Sequence, residues 1–173
     1  MPLSRCKHGP DGVPEITPAD TGPLLALNNA HAAELSLLDE VGLSKLVAWS
    51  FRALRIGRDD AFLIALDERH PTYAGPNYLW FRSRYLRFVY VDRVVVAGSA
   101  RGLGHARRLY EDLFRNGREA GHDLIVCEVN SMPPNPSSDA IHARLGFEEV
   151  GAATIHGGAK TVRYLALRLP GPR

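Results

Sequence analysis

The amino-acid sequence predicts an α/β (α+β) domain on a mixed sheet, and three observations predict it. RFVYVDRVVVA (87–97) is the strongest β run in the chain. It leads through a Gly-rich junction into a helix-spaced stretch and then a second apolar β run, DLIVCEV (123–129). A strand, helix, strand order with a right-handed crossover sets those two strands parallel. Flanking them are β-rich pairs suited to antiparallel pairing, SFRALRI with DAFLIAL and GFEEVGAATI with KTVRYLALRL.

In order along the chain, residues 1 to about 15 are rich in Pro, Gly and charge and are expected to form a flexible tail, with 16–173 as a single domain. Pro18 to about Trp49 reads as two helical pieces, the second from Leu35 to Leu46 with Gly42 as a weak point. The hairpin 50–66 turns at Gly57, Arg58 and Asp59. PTYAGPN is a loop, and YLWFRSRY carries no clear period. Leu103, Ala106, Leu109, Leu113, Phe114 and Ala120 recur at helical spacing, and Gly121 closes that helix. A proline-rich connection precedes a short helix, Ser138 to Leu145, and two strands around Gly157 and Gly158 end the chain.

Composition narrows the function classes. At 173 residues, 45% hydrophobic and 23% charged, the chain can bury one core and is short for two. A net charge of +2 gives no global field for nucleic acid or an anionic membrane. Cys6 and Cys127 are far apart, which argues for a reducing compartment over a disulfide scaffold. No signal peptide or apolar run of membrane-spanning length is read, so a cytoplasmic protein without nucleic-acid or membrane partners is expected.

The junction SARGLGHARRL carries the chemistry. The first N–H groups of a helix lack intrahelical partners and sit at the positive end of its dipole, so a strand-to-helix turn of this kind suits an anion, here a diphosphate. Arg101, Arg107 and Arg108 offer charge-assisted bonds to phosphate oxygens. The plain alternative is a tight turn with solvated arginines. A dinucleotide fingerprint fails because Arg107 stands where its third glycine belongs, and no Gly-Lys-Ser or Gly-Lys-Thr marks a nucleotide-triphosphate loop.

Arg101-Gly102-Leu103-Gly104-His105-Ala106 matches Arg/Gln-x-x-Gly-x-Gly/Ala, and Asn135, Ser138 and His142-Ala143-Arg144-Leu145-Gly146-Phe147 follow one helix and one strand later. With both motifs in that order, the sequence resembles the GNAT superfamily of N-acetyltransferases. YVDRVVVAGSARG, NPSSDA and GAKTVRYLALRL resemble a little-described bacterial subgroup. The resemblance covers about residues 15 to 169. It implies a mostly antiparallel sheet with one splayed parallel pair and helices on both faces; EITP leaves little room for the family's first strand.

It also implies acetyl-coenzyme A as co-substrate. Its diphosphate would lie on Gly102 to Ala106, its pantetheine along Val94, Val95 and Val96, with Asn135 and Ser138 at the far end and Arg107 or Arg108 near the 3′-phosphate. No metal is implied, and the seven histidines show no ligand spacing. The implied reaction is direct acetyl transfer to a primary amine of a small molecule or amino-acid derivative. The alternatives are a non-catalytic acyl-coenzyme A sensor or an acetyltransferase for protein N-termini or lysines.

An amine of pKa about 10.4 must lose a proton before it attacks. Strand alternation sets Tyr90, Asp92, Val94 and Val96 on one face, so Asp92 is the favoured base with Tyr90 as its neighbour. Glu128 is a further candidate, and Asp92 as a plain surface residue is the competing reading. The family usually carries a tyrosine at position 142; His142 stands there as an acid, a partner for the sulfur or a structural residue. The acceptor wall is expected from Tyr73, Trp80, Arg82 and Arg84, suited to a carboxylate-bearing amine. These aromatics also read as core caps, and Lys160 as a solvated charge or a further contact. A homodimer through the last β segment is a further expectation.

Overall fold

A computed structural model describes residues 12–171. Helices α1 (Thr21–Ala30) and α2 (Glu40–Trp49) lead into β1 (Arg52–Ile56) and β2 (Ala61–Asp67). Next come α3 (Pro76–Arg82), β3 (Val89–Val96), α4 (His105–Glu119), β4 (Leu124–Met132), α5 (Pro136–Leu145), β5 (Glu148–Ile155) and β6 (Lys160–Arg168). The strands form one sheet in the order β1-β2-β3-β4-β6-β5, and only β3 and β4 pair in parallel. The mixed, mostly antiparallel sheet of the sequence reading is therefore the observed one.

Each face of the sheet buries a different set. Leu109, Tyr110 and Leu113 of α4 pack with Leu54, Leu63, Val89, Val91 and Ile125. On the opposite face, Leu24, Leu27, Leu43 and Leu46 of α1 and α2 cover Phe62, Ile64 and Val95. Beside them, Tyr78 and Phe81 of α3 cover Leu66, Phe88, Tyr90, Val126 and Tyr164. The unassigned stretch YLWFRSRY thus contributes a short helix that seals the sheet.

Several boundaries differ from expectation for local reasons. Residues 1–11, including Cys6, lie outside the described residues. The rest of the expected tail is attached: Val13 is buried, its amide donates to Asp112, and Pro14 and Ile16 hydrogen-bond Arg55 and Ala53. That pairing is all the room EITP provides for a first strand. The second helical piece starts at Glu40, not Leu35. Asp39 caps it by accepting from the Gly42 amide at 2.7 Å, while the Asn28 and Asn29 side chains bind the backbone of Ser36 and Leu38. These bonds satisfy the loop's polar groups without helix. Helix α5 begins earlier, at Pro136, where a proline costs no helical bond and Asn135 accepts from the Ser138 amide.

Two irregularities position the site. β3 and β4 pair only at Val89 with Ile125 and Tyr90 with Val126, and beyond these the strands separate. On the other side of β3 the register with β2 shifts, Val91 pairing with Ala65 but Arg93 with Ile64, which leaves Asp92 as a bulge residue. A bulge inverts the alternation beyond it.

Candidate active site

Between the separated strands runs a cleft of about 960 Å³, walled by α4, α5 and the α1–α2 loop. At one end stands the N-terminus of α4. Gly102 and Gly104 hold φ of +79° and +76°, left-handed values that glycine adopts without a Cβ penalty. No side chain caps this helix, and the first α-helical bond runs from the Arg108 amide to the Gly104 carbonyl. The amides of His105, Ala106 and Arg107 therefore have no helical acceptor, and these residues line the cleft. A Cβ built on Gly102 or Gly104 would meet nothing within 4 Å, so the turn opens onto free space.

Val94, Val95, Val96, Arg101, Gly102, Gly104, His105, Ala106, Arg107, Asn135 and Ser138 all line this cleft. Leu103 does not; its side chain is exposed. Arg107 forms an exposed pair with Glu111 at 2.7 Å.

Where the strands part, the polar side chains of Tyr73, Tyr90, Asp92, Arg93 and Glu128 meet on the α1–α3 face. Tyr90 is buried and donates to Glu128 Oε1 at 3.1 Å. Asp92 is held by the Tyr73 hydroxyl at one oxygen and by Arg93 Nε, at 2.7 Å, at the other. The Arg93 guanidinium also donates to Asn28 Oδ1, fixing β3 to α1. Glu128 differs from Asp92: its Oε2 is buried without a hydrogen-bond partner. Burial, then the Asp92 charge, pushes the Glu128 carboxyl up to about 8, with the bond from Tyr90 opposing. Burial and Asp92 likewise raise the Tyr73 hydroxyl far above its ordinary range.

The expected single face for Tyr90, Asp92, Val94 and Val96 is not observed. Tyr90 packs in the α3 cluster, whereas Val94 and Val96 pack toward α4, because the bulge at Asp92 turns the strand over.

His142 lines the cleft but is 2% exposed, with both ring nitrogens engaged. Nδ1 lies 2.7 Å from the Ser138 carbonyl, which accepts only from an N–H, so the hydrogen sits on Nδ1. Nε2 then accepts from the Tyr110 hydroxyl at 2.6 Å. Burial lowers the His142 pKa. With its Nδ1–H held by the Ser138 carbonyl and its Nε2 accepting from Tyr110, the neutral ring is placed as a structural partner of Tyr110 and Ser138, which argues against His142 as the acid. Tyr110, on the inner face of α4 between Ala106 and Leu113, is a cleft residue that sequence reasoning passed over; helical spacing alone puts it inside.

The expected acceptor wall is also displaced. Trp80 stacks on Tyr164 with ring centroids 4.1 Å apart and lies over Gly151, where a Cβ would come within 2.5 Å of the indole. Arg84 sits 3.8 Å above the Trp80 ring, and Arg82 is exposed. None of the three lines the cleft, because α3 is turned toward β4 and β6. Tyr73 reaches the site only through Asp92. That end of the cleft is instead lined by His31, Glu34 and Leu35 with Asp92, Glu128 and Asn130. Asn130 Nδ2 donates to the Glu34 carbonyl at 3.2 Å, tying the α1–α2 loop to β4.

Among the described residues no cluster of three His, Cys, Asp or Glu could hold a metal, and no helix is long and apolar enough to cross a membrane.

The family model described as acetyltransferase (GNAT) matches residues 35–147, more than half of the chain. No curated protein sequence matches it. Solved structures share the fold at low identity. A ribosomal-protein-alanine N-acetyltransferase of Brucella melitensis is 22% identical over 91% of this chain and 99% of its own, with a TM-score of 0.66. An N-acetyltransferase of Staphylococcus aureus is 15% identical over 91% and 98%, at 0.64. The protein yncA of Salmonella typhimurium, solved with its cofactor acetyl-CoA, is 16% identical over 91% and 93%, at 0.64.

Proposed function

The chain belongs to the GNAT acetyltransferase family, and from that premise we propose that it moves an acetyl group from acetyl-coenzyme A to a primary amine by direct attack, both substrates bound together. One observation carries this reading. A cleft that begins at unpartnered helix amides passes between two separated strands and ends at a half-buried glutamate, Glu128, whose Oε2 has no hydrogen-bond partner.

The residues fit the coenzyme. The amides of His105 to Arg107 and the open turn at Gly102 and Gly104 suit its diphosphate. Arg101 supplies charge, and Val94 to Val96 border the pantetheine path. Beyond Tyr90, β3 amides facing β4 have no strand partner, so they can hold the thioester oxygen. The coenzyme supplies the activated acetyl group.

Glu128 is the base in this reading, replacing Asp92. Both Asp92 oxygens already accept from Tyr73 and Arg93, whereas Glu128 Oε2 is free, and a pKa of about 8 suits proton removal near neutral pH. The acceptor end, with Glu34 lining it and Arg93 already paired to Asp92, suits an amine over a carboxylate. The Asn130 to Glu34 tie crosses that end and favours a compact amine over a protein N-terminus.

The test is thermal unfolding with coenzyme A, then thiol release across an amine panel that includes peptides with free N-termini. A ligand that binds the native state raises its Tm. We expect that rise, with faster release for compact cationic amines. No shift at saturating coenzyme A would remove the reading; a shift with no transfer to any amine would leave a coenzyme-binding module.

A further inference from the structure

Resting on that reading, we propose that Arg93 is a positioning residue for the amine: its guanidinium, buried at the β3 bulge, holds the α1–α2 loop where that loop borders the acceptor. The bulge makes this possible. Along a regular strand neighbouring side chains point to opposite faces. Here the extra residue sets Asp92 and Arg93 on the same face, and Arg93 Nε reaches the Asp92 carboxylate at 2.7 Å. Tyr90 and Val95 pack on that face too, while Val91 and Val94 pack toward α4.

The other two nitrogens of the guanidinium reach α1 and the loop. Nη1 donates to Asn28 Oδ1 at 2.7 Å, and Nη2 donates to Ser36 Oγ at 3.4 Å. A guanidinium only donates, so the Asn28 oxygen faces it and the Asn28 Nδ2 is left to donate to the Ser36 carbonyl at 3.1 Å and to Asn29 Oδ1 at 2.9 Å. Asn29 in turn bonds the backbone of Leu38 at both its N–H and its carbonyl. Asn28 is fully buried, so a reversed amide would leave polar atoms without partners. Arg93 thus acts on the loop twice, directly at Ser36 and through the amide it orients.

The position of this loop shapes the site. His31, Glu34 and Leu35 line the cleft with Asp92 and Glu128. Leu35 and Leu38 are only partly buried and Leu37 is 70% exposed, so packing constrains the loop weakly. Its place rests instead on the ties from Asn28, Asn29, Arg93 and Asn130. A buried ion pair adds little stability over apolar groups of the same volume. This one fixes geometry, and a lysine could not stand in for it, because one nitrogen cannot reach Asp92, Asn28 and Ser36 together.

The experiment compares wild type, Arg93→Lys and Asp92→Asn/Arg93→Met in steady-state kinetics with the fastest amine of the panel, and follows hydrogen exchange of the 31–38 amides. The lysine variant keeps a charge beside Asp92. The double variant removes both charges, so it reports even if the lysine variant fails to fold. We expect KM for the amine to rise about tenfold, the loss of one charge-assisted bond, with KM for acetyl-coenzyme A unchanged. Exchange at 31–38 should quicken by a similar factor while exchange within α4 stays at its wild-type rate.

A wild-type amine KM in either folded variant would overturn the proposal, as would an equal rise in both KM values, the mark of a merely structural role. Unchanged exchange at 31–38 would overturn it as well. Wild type that transfers to no amine would remove the functional reading instead, and the exchange comparison would still decide whether Arg93 holds the loop.

Discussion

The two ends of the cleft are built differently. The α4 end is made of backbone: amides freed by a helix start and a turn whose glycines hold positive φ. The end near Glu128 is made of side chains drawn from the α1–α2 loop, β3 and β4, with Asn130 and Glu34 lying 96 positions apart in the chain. Backbone sites depend on a few consecutive residues. Side-chain sites depend on how distant elements meet, so they vary without disturbing the fold that carries them.

Substitutions at the two ends should separate these roles. The largest effect is expected from Glu128→Gln, a fall in kcat of about a hundredfold with KM for acetyl-coenzyme A unchanged. In wild type, kcat/KM should rise with pH through about 8 as Glu128 loses its proton, and the variant should lose that limb. The same residue affects stability. Its folded pKa lies above the unfolded value near 4.5, so the folded state binds more protons between the two. Stability from this group is full below about 4.5 and is lost as pH rises through about 8; chemical denaturation of Glu128→Gln should show a flatter profile there.

A smaller effect of opposite kind is expected at the other end. Gly104→Ala, forced to φ of +76°, should raise KM for acetyl-coenzyme A about tenfold, the loss of one charge-assisted bond, with kcat retained. Its stability should fall by about 1 kcal/mol from left-handed strain. An unchanged KM would mean that the turn does not hold the coenzyme. The smallest effect belongs to Arg84→Ala. Loss of the cation–π contact with Trp80 should cost about 0.5–1 kcal/mol of stability and leave the amine KM unmoved. A raised amine KM would return Arg84 to the acceptor wall.

The strand order along the chain, the helix after β3 and the glycine turn were legible because each is written in consecutive residues. The face of Asp92 was not. Alternation through VYVDRVVV runs unbroken in sequence, and only pairing with β2 reveals the extra residue that turns Val94 and Val96 over. Trp80 and Arg84 read as a binding wall until Gly151 and Tyr164 were seen to receive the indole. Glu34 and Asn130 carried no local signal at all.

By itself, the sequence determined a mixed sheet, a long central helix and an anion-ready turn, because periodicity and glycine's access to positive φ are properties of neighbouring residues. Only the tertiary structure decided which carboxylate oxygen lacks a partner, which nitrogen of His142 carries the hydrogen and which side chains line the far end of the cleft. Those follow from desolvation and from hydrogen-bond partners on other elements, whose positions exist only once the chain is folded.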